Sequence, residues 1–484
     1  MRSKLPTAVS VAVLLVVPLA IIFLVADRQT SFLDTLSSFT SASSSSSSVT
    51  GRHPRAASTS TAAAARVPKG CDIFQGEWVP DDGVPYYTNL SCPLIQEHQN
   101  CLKYGRPDLR FLQWRWRPAG CEMPRFDAAS FLDAFRDRSL AFVGDSLARN
   151  HMQSLMCLLT KVAYPKDISK TRNPEFRTMH YESHNFTLAI FWSPFLVKAN
   201  QSSSGRRLWN LFLDEPDESW ASGVAAFDYV VLSAANWFTR PSVFYEAGGV
   251  VACHYCLLPG VPDLTLRYSL RMAFRAALRA LTKFNGTVVV RTLSPTSHFE
   301  GGGWDTGGDC RRTRPYAANE TMMAGLDLDF HTAQVEEFEK ARKKAAAARL
   351  VLMNTTPAML LRPDGHPSRY GHWPEEKVTL YNDCVHWCLP GPIDVWNEML
   401  FQMLLTDWSM DVEESEKARK KAVAARLVLM DMMSVMLLRP DGHPSRYGHW
   451  PEVKVTLYND CMHWCLPGPI DVWNEMLFQM QLKD

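Results

Sequence analysis

The sequence predicts a doubly wound α/β fold that follows a membrane anchor. Short apolar runs typical of buried strands alternate with an amphipathic helical pattern, which favours a parallel sheet with a site at the carboxyl ends of its strands. A long uncharged run lies near the N-terminus, and all twelve cysteines follow it. These observations place the predicted sheet on the far side of a membrane, where disulfides persist.

The first element is the predicted anchor at residues 8–26, an apolar run without a charged side chain. At about 1.5 Å per residue, a helix of this length nearly spans a bilayer core. Arg2 and Lys4 precede the run, so we expect residues 1–7 to stay in the cytosol. A cleaved signal peptide is the alternative, but the run is longer than usual and Leu24 stands where a cleavage site needs a small residue.

The chain then divides into segments of different composition. Residues 27–70 are rich in serine and alanine and predict a disordered stem. Residues 71–135 are assigned to a cysteine-containing N-terminal subdomain, and residues 136–404 to the α/β domain. Residues 405–484 contain a near copy of residues 335–403. Because one fold rarely has room for both copies, we expect the first copy to be integrated and the second to be peripheral.

The composition excludes several classes of function. Lys and Arg total 51 and Asp and Glu total 50, and the net charge of +1 argues against a dedicated nucleic-acid binder. The groups Cys253–Cys256 and Cys384–Cys388 are similar to metal ligands. Zinc sites usually take separated pairs of ligands, however, and luminal thiols are usually oxidised, so we expect no metal.

A candidate nucleophile follows the first strand of the α/β domain. Ser139–Val143 reads as a buried strand, and Gly144, Asp145 and Ser146 lead from it into a helical pattern. Such a turn lifts a serine out of the sheet, and the helix N-terminus offers N–H groups to a developing oxyanion. The alternative is that Asp145 or Ser146 merely caps the helix. We predict Ser146 as the nucleophile, with Gly144 and Asp145 in support.

Two further strands and a helix complete the predicted sheet. Phe227–Ser233 and Thr287–Arg291 read as buried strands, and an amphipathic helix spans 266–281 between them. Asn236 follows the first of these strands and is a candidate oxyanion donor. Arg149 and Asn150 lie one turn into the serine helix and are candidates for supporting the site. Structural roles for these three residues remain equally open.

The base and its orienting acid lie late in the chain. A serine nucleophile needs an imidazole held by a carboxylate, and Asp383 and His386 can bring a carboxylate to Nδ1–H while Nε2 stays free. An early serine followed by a late aspartate and histidine is the block order of SGNH/GDSL-type acyl enzymes. Asp460 and His463 repeat the motif in the second copy, and we expect them to be unused.

The chain resembles the plant trichome birefringence-like family of polysaccharide O-acetyltransferases. The resemblance rests on ordered motifs between Cys71 and Leu404, which are CDIF, GEWVPDD, NCLKYGRPD, WRWRPAGCEMPRFD, FVGDSLARN and DCVHWCLPGPIDVWNEM. It implies a single-pass type II Golgi membrane protein with a luminal catalytic domain. It also implies that Ser146 is acetylated and passes the acetyl group to a sugar hydroxyl, with Asp383 as the acid and His386 as the base.

The resemblance also implies an acceptor and a donor. The blocks at 232–238 and 245–246 are most similar to members that act on xyloglucan side-chain galactose. Mannan or xylan acetyltransferase, acetyl esterase and non-catalytic wall-polysaccharide binder are the alternatives. No bound cofactor is implied, because the acetyl group derives from acetyl-CoA and is supplied through a separate multi-span membrane partner.

Overall fold

The fold is described by a computed structural model. It covers residues 64–202, 208–303, 306–345, 348–373, 375 and 382–405, and further along the chain 441, 443–444, 463, 465–466 and 471–475. Among these residues, no helix is both long enough and apolar enough to cross a bilayer. The predicted anchor, most of the predicted stem and most of the second copy lie outside the described residues.

The chain alternates strands and helices over most of the described length. The strands are β1 (Gly76–Pro80), β2 (Trp114–Pro118), β3 (Ser139–Gly144), β4 (Lys166–Asp167), β5 (Phe176–Tyr181), β6 (Phe186–Trp192), β7 (Val197–Gln201), β8 (Trp209–Pro216), β9 (Tyr229–Ser233), β10 (Ser242–Glu246), β11 (Gly249–His254), β12 (Thr287–Arg291) and β13 (Arg349–Met353). The helices are α1 (Ala128–Ala134), α2 (Ser146–Leu159), α3 (Glu218–Ala221), α4 (Leu266–Ala280), α5 (Gly325–Arg342), α6 (Thr356–Leu360) and α7 (394–405).

A seven-stranded sheet in the order β13-β12-β9-β3-β6-β5-β4 forms the centre of the fold. The strands from β13 to β6 are parallel, and β5 and β4 extend the sheet in the antiparallel sense. The predicted α/β class is therefore confirmed. The three predicted strands are β3, β9 and β12, which are neighbours in the sheet, although β9 begins at Tyr229, two residues after the predicted start.

Alternate residues of the parallel strands enter two separate hydrophobic cores. On β3, Leu140 and Phe142 lie in one core, and Ala141 and Val143 lie in the other. Helices α2 and α7 pack into the first core, and α4 and α5 pack into the second. Because helices cover both faces, every residue of β12 is buried. This explains why the parallel strands have uninterrupted apolar runs rather than an alternating pattern.

The N-terminal segment packs into the first core rather than forming one of its own. Strands β1 and β2 pair antiparallel, and Ile73, Trp78 and Trp116 join that core. The end of the predicted stem also contacts it, since Val67 N donates to Gln402 Oε1 at 2.9 Å. The disulfide Cys71–Cys121 lies within the segment, and two others, Cys92–Cys157 and Cys101–Cys388, join it to the α/β domain.

A second sheet, in the order β11-β10-β8-β7, lies outside the predicted elements. The Cys253–Cys256 disulfide lies at the end of β11, and Cys310–Cys384 lies beside the predicted acid. The sulfurs that the sequence placed in metal-like groups are thus bonded to other sulfurs. Asp309 lies near Cys310 and Cys384, but those two sulfurs form one disulfide and are not free thiolates.

Candidate active site

Gly144, Asp145 and Ser146 form a sharp turn between β3 and α2. Gly144 has a φ of +151°, and a Cβ there would lie 1.6 Å from the carbonyl oxygen of Ser233 on the adjacent strand β9. Only glycine allows the two strands to approach so closely at this point. Ser146 is the first residue of α2 and follows the carboxyl end of the central strand β3. This is where the sequence predicted the nucleophile.

Asp145 caps the helix that carries the candidate nucleophile. Its Oδ1 accepts a hydrogen bond from Leu147 N at 3.0 Å, and its Oδ2 accepts one from Ala235 N at 3.2 Å. Burial raises the pKa of Asp145, and the positive charge of Arg291 opposes that rise. The capping alternative thus holds for Asp145, which also ties the turn to the segment after β9.

Asp383 and His386 are in direct contact in a short loop that is not helical. Asp383 Oδ2 lies 2.8 Å from His386 Nδ1, and Oδ1 accepts hydrogen bonds from the backbone N–H groups of Val385 and His386. Backbone hydrogen bonds to Ser368 anchor the aspartate, with Ser368 N donating to Asp383 O at 2.8 Å and Asp383 N donating back at 2.9 Å. The carboxylate thereby fixes the proton of the imidazole on Nδ1.

The pair has shifted pKa values. Burial alone raises the pKa of Asp383, but the charge of His386 and three hydrogen bonds lower it well below its usual range. Burial lowers the pKa of His386, but the charge and hydrogen bond of Asp383 raise it above the usual value. Asp145 raises it further, and Arg149 lowers it. Asp145 and Arg149 flank Ser146 in sequence, so charges on both sides of the serine act on the imidazole.

Asn150 connects the histidine loop directly to the serine helix. Trp387 N donates to Asn150 Oδ1 at 2.9 Å, and Asn150 Nδ2 donates to Trp387 O at 3.4 Å. Asn150 is fully buried and lies one turn after Ser146 on α2. His386 Nε2 is itself buried and has no hydrogen-bond partner among the described residues. His386 Nε2, the nitrogen that a general base would use, is therefore free to accept a proton, and its loop packs against the helix that begins with Ser146.

His366 packs against the loop that carries Asp383 and His386. Its Nδ1 lies 2.7 Å from His386 O, and its ring stacks on Trp387 with centroids 4.1 Å apart. His298 Nδ1 lies 2.7 Å from the other nitrogen of the His366 ring. Burial lowers the pKa of His366 and of His298. These rings contact the backbone of the loop that carries His386, and their positions in separate loops gave no sequence signal for this contact.

The two weaker candidates both lie near the turn. Asn236 follows β9, next to the residue that donates to Asp145, and both polar atoms of its side chain are buried without a partner among the described residues. Arg149 lies over the ring of Trp192 at 5.1 Å, and its Nε is likewise buried and unpartnered within that part of the chain. Burial lowers the pKa of Arg149. Buried polar atoms without a hydrogen-bond partner are unusual, and such atoms at this turn are suited to binding a ligand.

His98 is a site residue that the sequence did not indicate. Its ring lies edge-to-face on the His386 ring, with centroids 5.3 Å apart and an interplanar angle of 75°. It comes from the N-terminal segment, three residues before the disulfide-bonded Cys101. A single histidine in a polar stretch carries no pattern, so only the folded chain could reveal the contact.

Few residues of the second copy belong to the part of the chain that the structure describes. Asp460 lies outside the described residues, and His463 is exposed. His443 Nδ1 lies 2.7 Å from His463 O, which repeats the contact between His366 and His386. The candidate dyad of the described site comes from the first copy.

The sequence matches two family profiles. Residues 123–403 and 405–480 match the GDSL/SGNH-like acyl-esterase family found in Pmr5 and Cas1p. Residues 69–122 match the PMR5 N-terminal domain. The family match therefore includes the serine turn, the loop with the aspartate and histidine, and the second copy.

Several curated plant proteins are similar to the chain. Protein trichome birefringence-like 19 of Arabidopsis thaliana is 52% identical over 345 residues, which cover 69% of this chain and 80% of that protein. Xyloglucan O-acetyltransferase 4 of Populus trichocarpa is 46% identical over 344 residues, or 69% of this chain and 81% of that protein. Xyloglucan O-acetyltransferase 1 of Arabidopsis thaliana is 42% identical over 339 residues, or 69% of this chain and 80% of that protein.

Proposed function

Because the chain belongs to the GDSL/SGNH-like acyl-esterase family found in Pmr5 and Cas1p, we propose that it is an O-acetyltransferase that works through an acetylated Ser146. The observation that supports this proposal best is the contact of Asp383 with His386 Nδ1, which leaves His386 Nε2 free. A carboxylate-oriented imidazole beside a serine turn is the arrangement that activates a hydroxyl nucleophile.

The first half-reaction acetylates the enzyme. Ser146 Oγ attacks the acetyl carbonyl carbon of the donor while His386 Nε2 takes the hydroxyl proton. The tetrahedral oxyanion forms at the N-terminus of α2, where the backbone N–H of Ser146 and the side-chain amide of Asn236 are the proposed donors. Collapse breaks the bond to the donor's leaving group, which takes the proton from His386. Asp383 stabilises the imidazolium that exists between these steps.

The second half-reaction transfers the acetyl group. A sugar hydroxyl gives its proton to His386 Nε2, and its oxygen attacks the carbonyl carbon of acetyl-Ser146. The ester bond to Ser146 breaks, and the serine oxygen recovers the proton. Transfer prevails over hydrolysis when the sugar hydroxyl is positioned better than water. An esterase would use the same residues with water as the second nucleophile.

We propose xyloglucan as the acceptor, on the strength of relatives that carry that name. Mannan and xylan are the alternative acceptors. We further propose that the catalytic domain lies in the Golgi lumen behind a single-pass anchor at residues 8–26. Five disulfides among the described residues support an oxidising compartment. The acetyl donor derives from acetyl-CoA in this proposal and reaches the lumen through a multi-span membrane protein.

The test is mass spectrometry of oligosaccharides incubated with the full chain and p-nitrophenyl acetate as an artificial donor. Xyloglucan, mannan and xylan oligosaccharides are compared, and Ser146→Ala is the control. We expect an acetyl mass gain on xyloglucan that the variant does not produce. A gain on mannan or xylan would change the acceptor. Acetate release without a gain on any glycan would make the protein an esterase, and full transfer by Ser146→Ala would refute the mechanism.

A further inference from the structure

A chain of side-chain amides connects the catalytic loop to His98. It starts at the backbone of Trp387, whose N–H must donate and whose carbonyl must accept. Asn150 Oδ1 therefore faces the Trp387 N–H, and Asn150 Nδ2 faces the Trp387 carbonyl. These two backbone groups determine which end of the Asn150 amide is oxygen and which is nitrogen.

The direction of the next two hydrogen bonds follows from the first. Asn150 Nδ2 donates to Gln99 Oε1 at 3.0 Å, so the other end of the Gln99 amide is the NH₂ group. That group lies 3.3 Å from His98 Nε2. An NH₂ group only donates, and His98 Nε2 must therefore carry a lone pair. A neutral His98 then holds its proton on Nδ1.

The same segment is fastened to the catalytic loop at two more points. Leu389 N donates to Gln99 O at 2.9 Å, and Cys101 forms a disulfide with Cys388. These contacts hold the His98 ring edge-to-face on the His386 ring. The segment matches the PMR5 N-terminal domain rather than the acyl-esterase family. The surroundings of the catalytic histidine therefore combine both parts of the chain.

We propose that His98 is a positioning residue that the N-terminal domain supplies to the active site. It covers the His386 ring as a neutral imidazole with its proton on Nδ1, so that it adds no positive charge to that of Arg149 beside the imidazolium formed during acetyl transfer. The amide chain from Trp387 enforces this state, because protonating His98 Nε2 would break its hydrogen bond to Gln99. This inference rests on the proposed acetyl-transfer function.

The charges around the two rings agree with a neutral His98. Burial lowers the pKa of His98 to about 4, and His386 and Arg149 lower it while Asp383 raises it. The charged groups that act on His386 are Asp383, Asp145 and Arg149. At neutral pH, His98 therefore packs against the His386 ring without adding a positive charge.

The kinetic test compares two substitutions at position 98 in the full chain. His98→Lys places a permanent positive charge beside His386, which lowers the pKa of His386. We expect the acidic limb of the kcat/KM profile to move to lower pH by about one unit. His98→Gln is the matched control, because its side-chain oxygen reaches the position of His98 Nε2 and can accept from Gln99 without adding charge, and we expect the limb to keep its position. An unmoved limb in His98→Lys would overturn the proposal.

The spectroscopic test does not depend on activity. The imidazole ¹⁵N shifts of His98, assigned by their loss in His98→Gln, should show a neutral ring with an Nδ1 proton from about pH 5 to pH 8. Gln99→Glu has nearly the same shape but presents an acceptor to His98 Nε2, so His98 should then protonate within that range. Titration of His98 in the unmodified chain, or an Nε2 proton, would overturn the proposal. Absence of Ser146-dependent transfer would instead refute the proposed function and leave this measurement valid.

Discussion

At the scale of single residues, the protonation state of His386 controls the proposed chemistry. Only the neutral imidazole can take the proton of Ser146, and Asp383 raises the pKa of His386 above its usual value of about 6.5. Acetyl transfer should therefore increase with pH through a midpoint above that value. The sign follows from the raised pKa, because the imidazole stays protonated and inactive to a higher pH than an isolated histidine would.

Asp383→Asn should remove both the orientation and the raised pKa of His386. The asparagine NH₂ group can face His386 Nδ1 and favour the wrong tautomer, as it does in serine-protease triads. We expect kcat at neutral pH to fall by about 10³–10⁴-fold. The measurement is the pH profile of acetyl transfer, with the exposed Asp82→Asn as the control. A variant that keeps both its rate and the midpoint of its pH profile would exclude Asp383 from the mechanism.

The contact between Asp383 and His386 was predictable from sequence, but the contacts that hold their loop in place were not. The serine turn depends on a local strand, glycine and helix, and the aspartate and histidine lie three residues apart, so both features appear in the chain itself. The loop that carries His386 is contacted by Asn150, His366 and His98. Each lies between 20 and 288 residues along the chain from the residue that it contacts. Asn150 was a candidate because it follows Ser146 on the same helix, but nothing in the local sequence of His366 or His98 distinguishes them from residues with other structural roles.

At the scale of elements, buried strands and amphipathic helices were predicted best. Strand β12 and the start of α4 match the predictions because both have continuous or periodic apolar patterns. The second sheet was missed because its strands are only partly buried. Strand β7, for example, has one buried residue of five, so neither an apolar run nor a regular alternation marks it.

Helix α7 carries a carboxyl group that titrates near neutral pH. Tyr86 Oη donates to Glu398, and burial raises the pKa of Glu398 to about 7. In the unfolded chain the carboxyl has a pKa of about 4.3. Between about pH 4.3 and pH 7 the folded protein therefore keeps a proton that the unfolded chain has released. Stability from this group is present at acidic pH and is lost as pH rises through about 7.

Glu398→Gln should reduce the change of folding stability with pH. Its amide oxygen can still accept from Tyr86, but the side chain no longer ionises. We expect the difference in Tm between pH 5 and pH 8 to decrease by at least about 2–4 °C, which corresponds to about 1 kcal/mol. Thermal unfolding at both pH values measures this, with the exposed Glu218→Gln as the control. An unchanged difference in Tm would show that Glu398 does not titrate in this range.

At the scale of the whole molecule, the N-terminal segment and the α/β sheet form one structure. The sequence separated them at residue 135 because cysteines are dense before that point and strand and helix patterns begin after it. Their shared core and cross-linking disulfides depend on residues far apart in the chain, such as Cys101 and Cys388. The relation between the two copies stays a prediction, since most of the second copy lies outside the described residues.

The Cys101–Cys388 disulfide should matter more than the short Cys253–Cys256 disulfide. It closes a separation of 287 residues, against three for the other. Removing it by Cys101→Ser with Cys388→Ser should cost about 3–5 kcal/mol, and Cys253→Ser with Cys256→Ser about 2 kcal/mol. Denaturant unfolding compares the two double variants. The first should also lose acetyl transfer, because His98 and His386 are held together at that bond, and equal effects of the two pairs would contradict this account.

The central claim is tested most directly by peptide mass spectrometry of the full chain after incubation with p-nitrophenyl acetate and no glycan. We predict an acetyl group on the peptide that contains Ser146, its absence in Ser146→Ala, and its loss when xyloglucan oligosaccharides are added. An enzyme that transfers acetyl groups without ever carrying one on Ser146 would contradict the account.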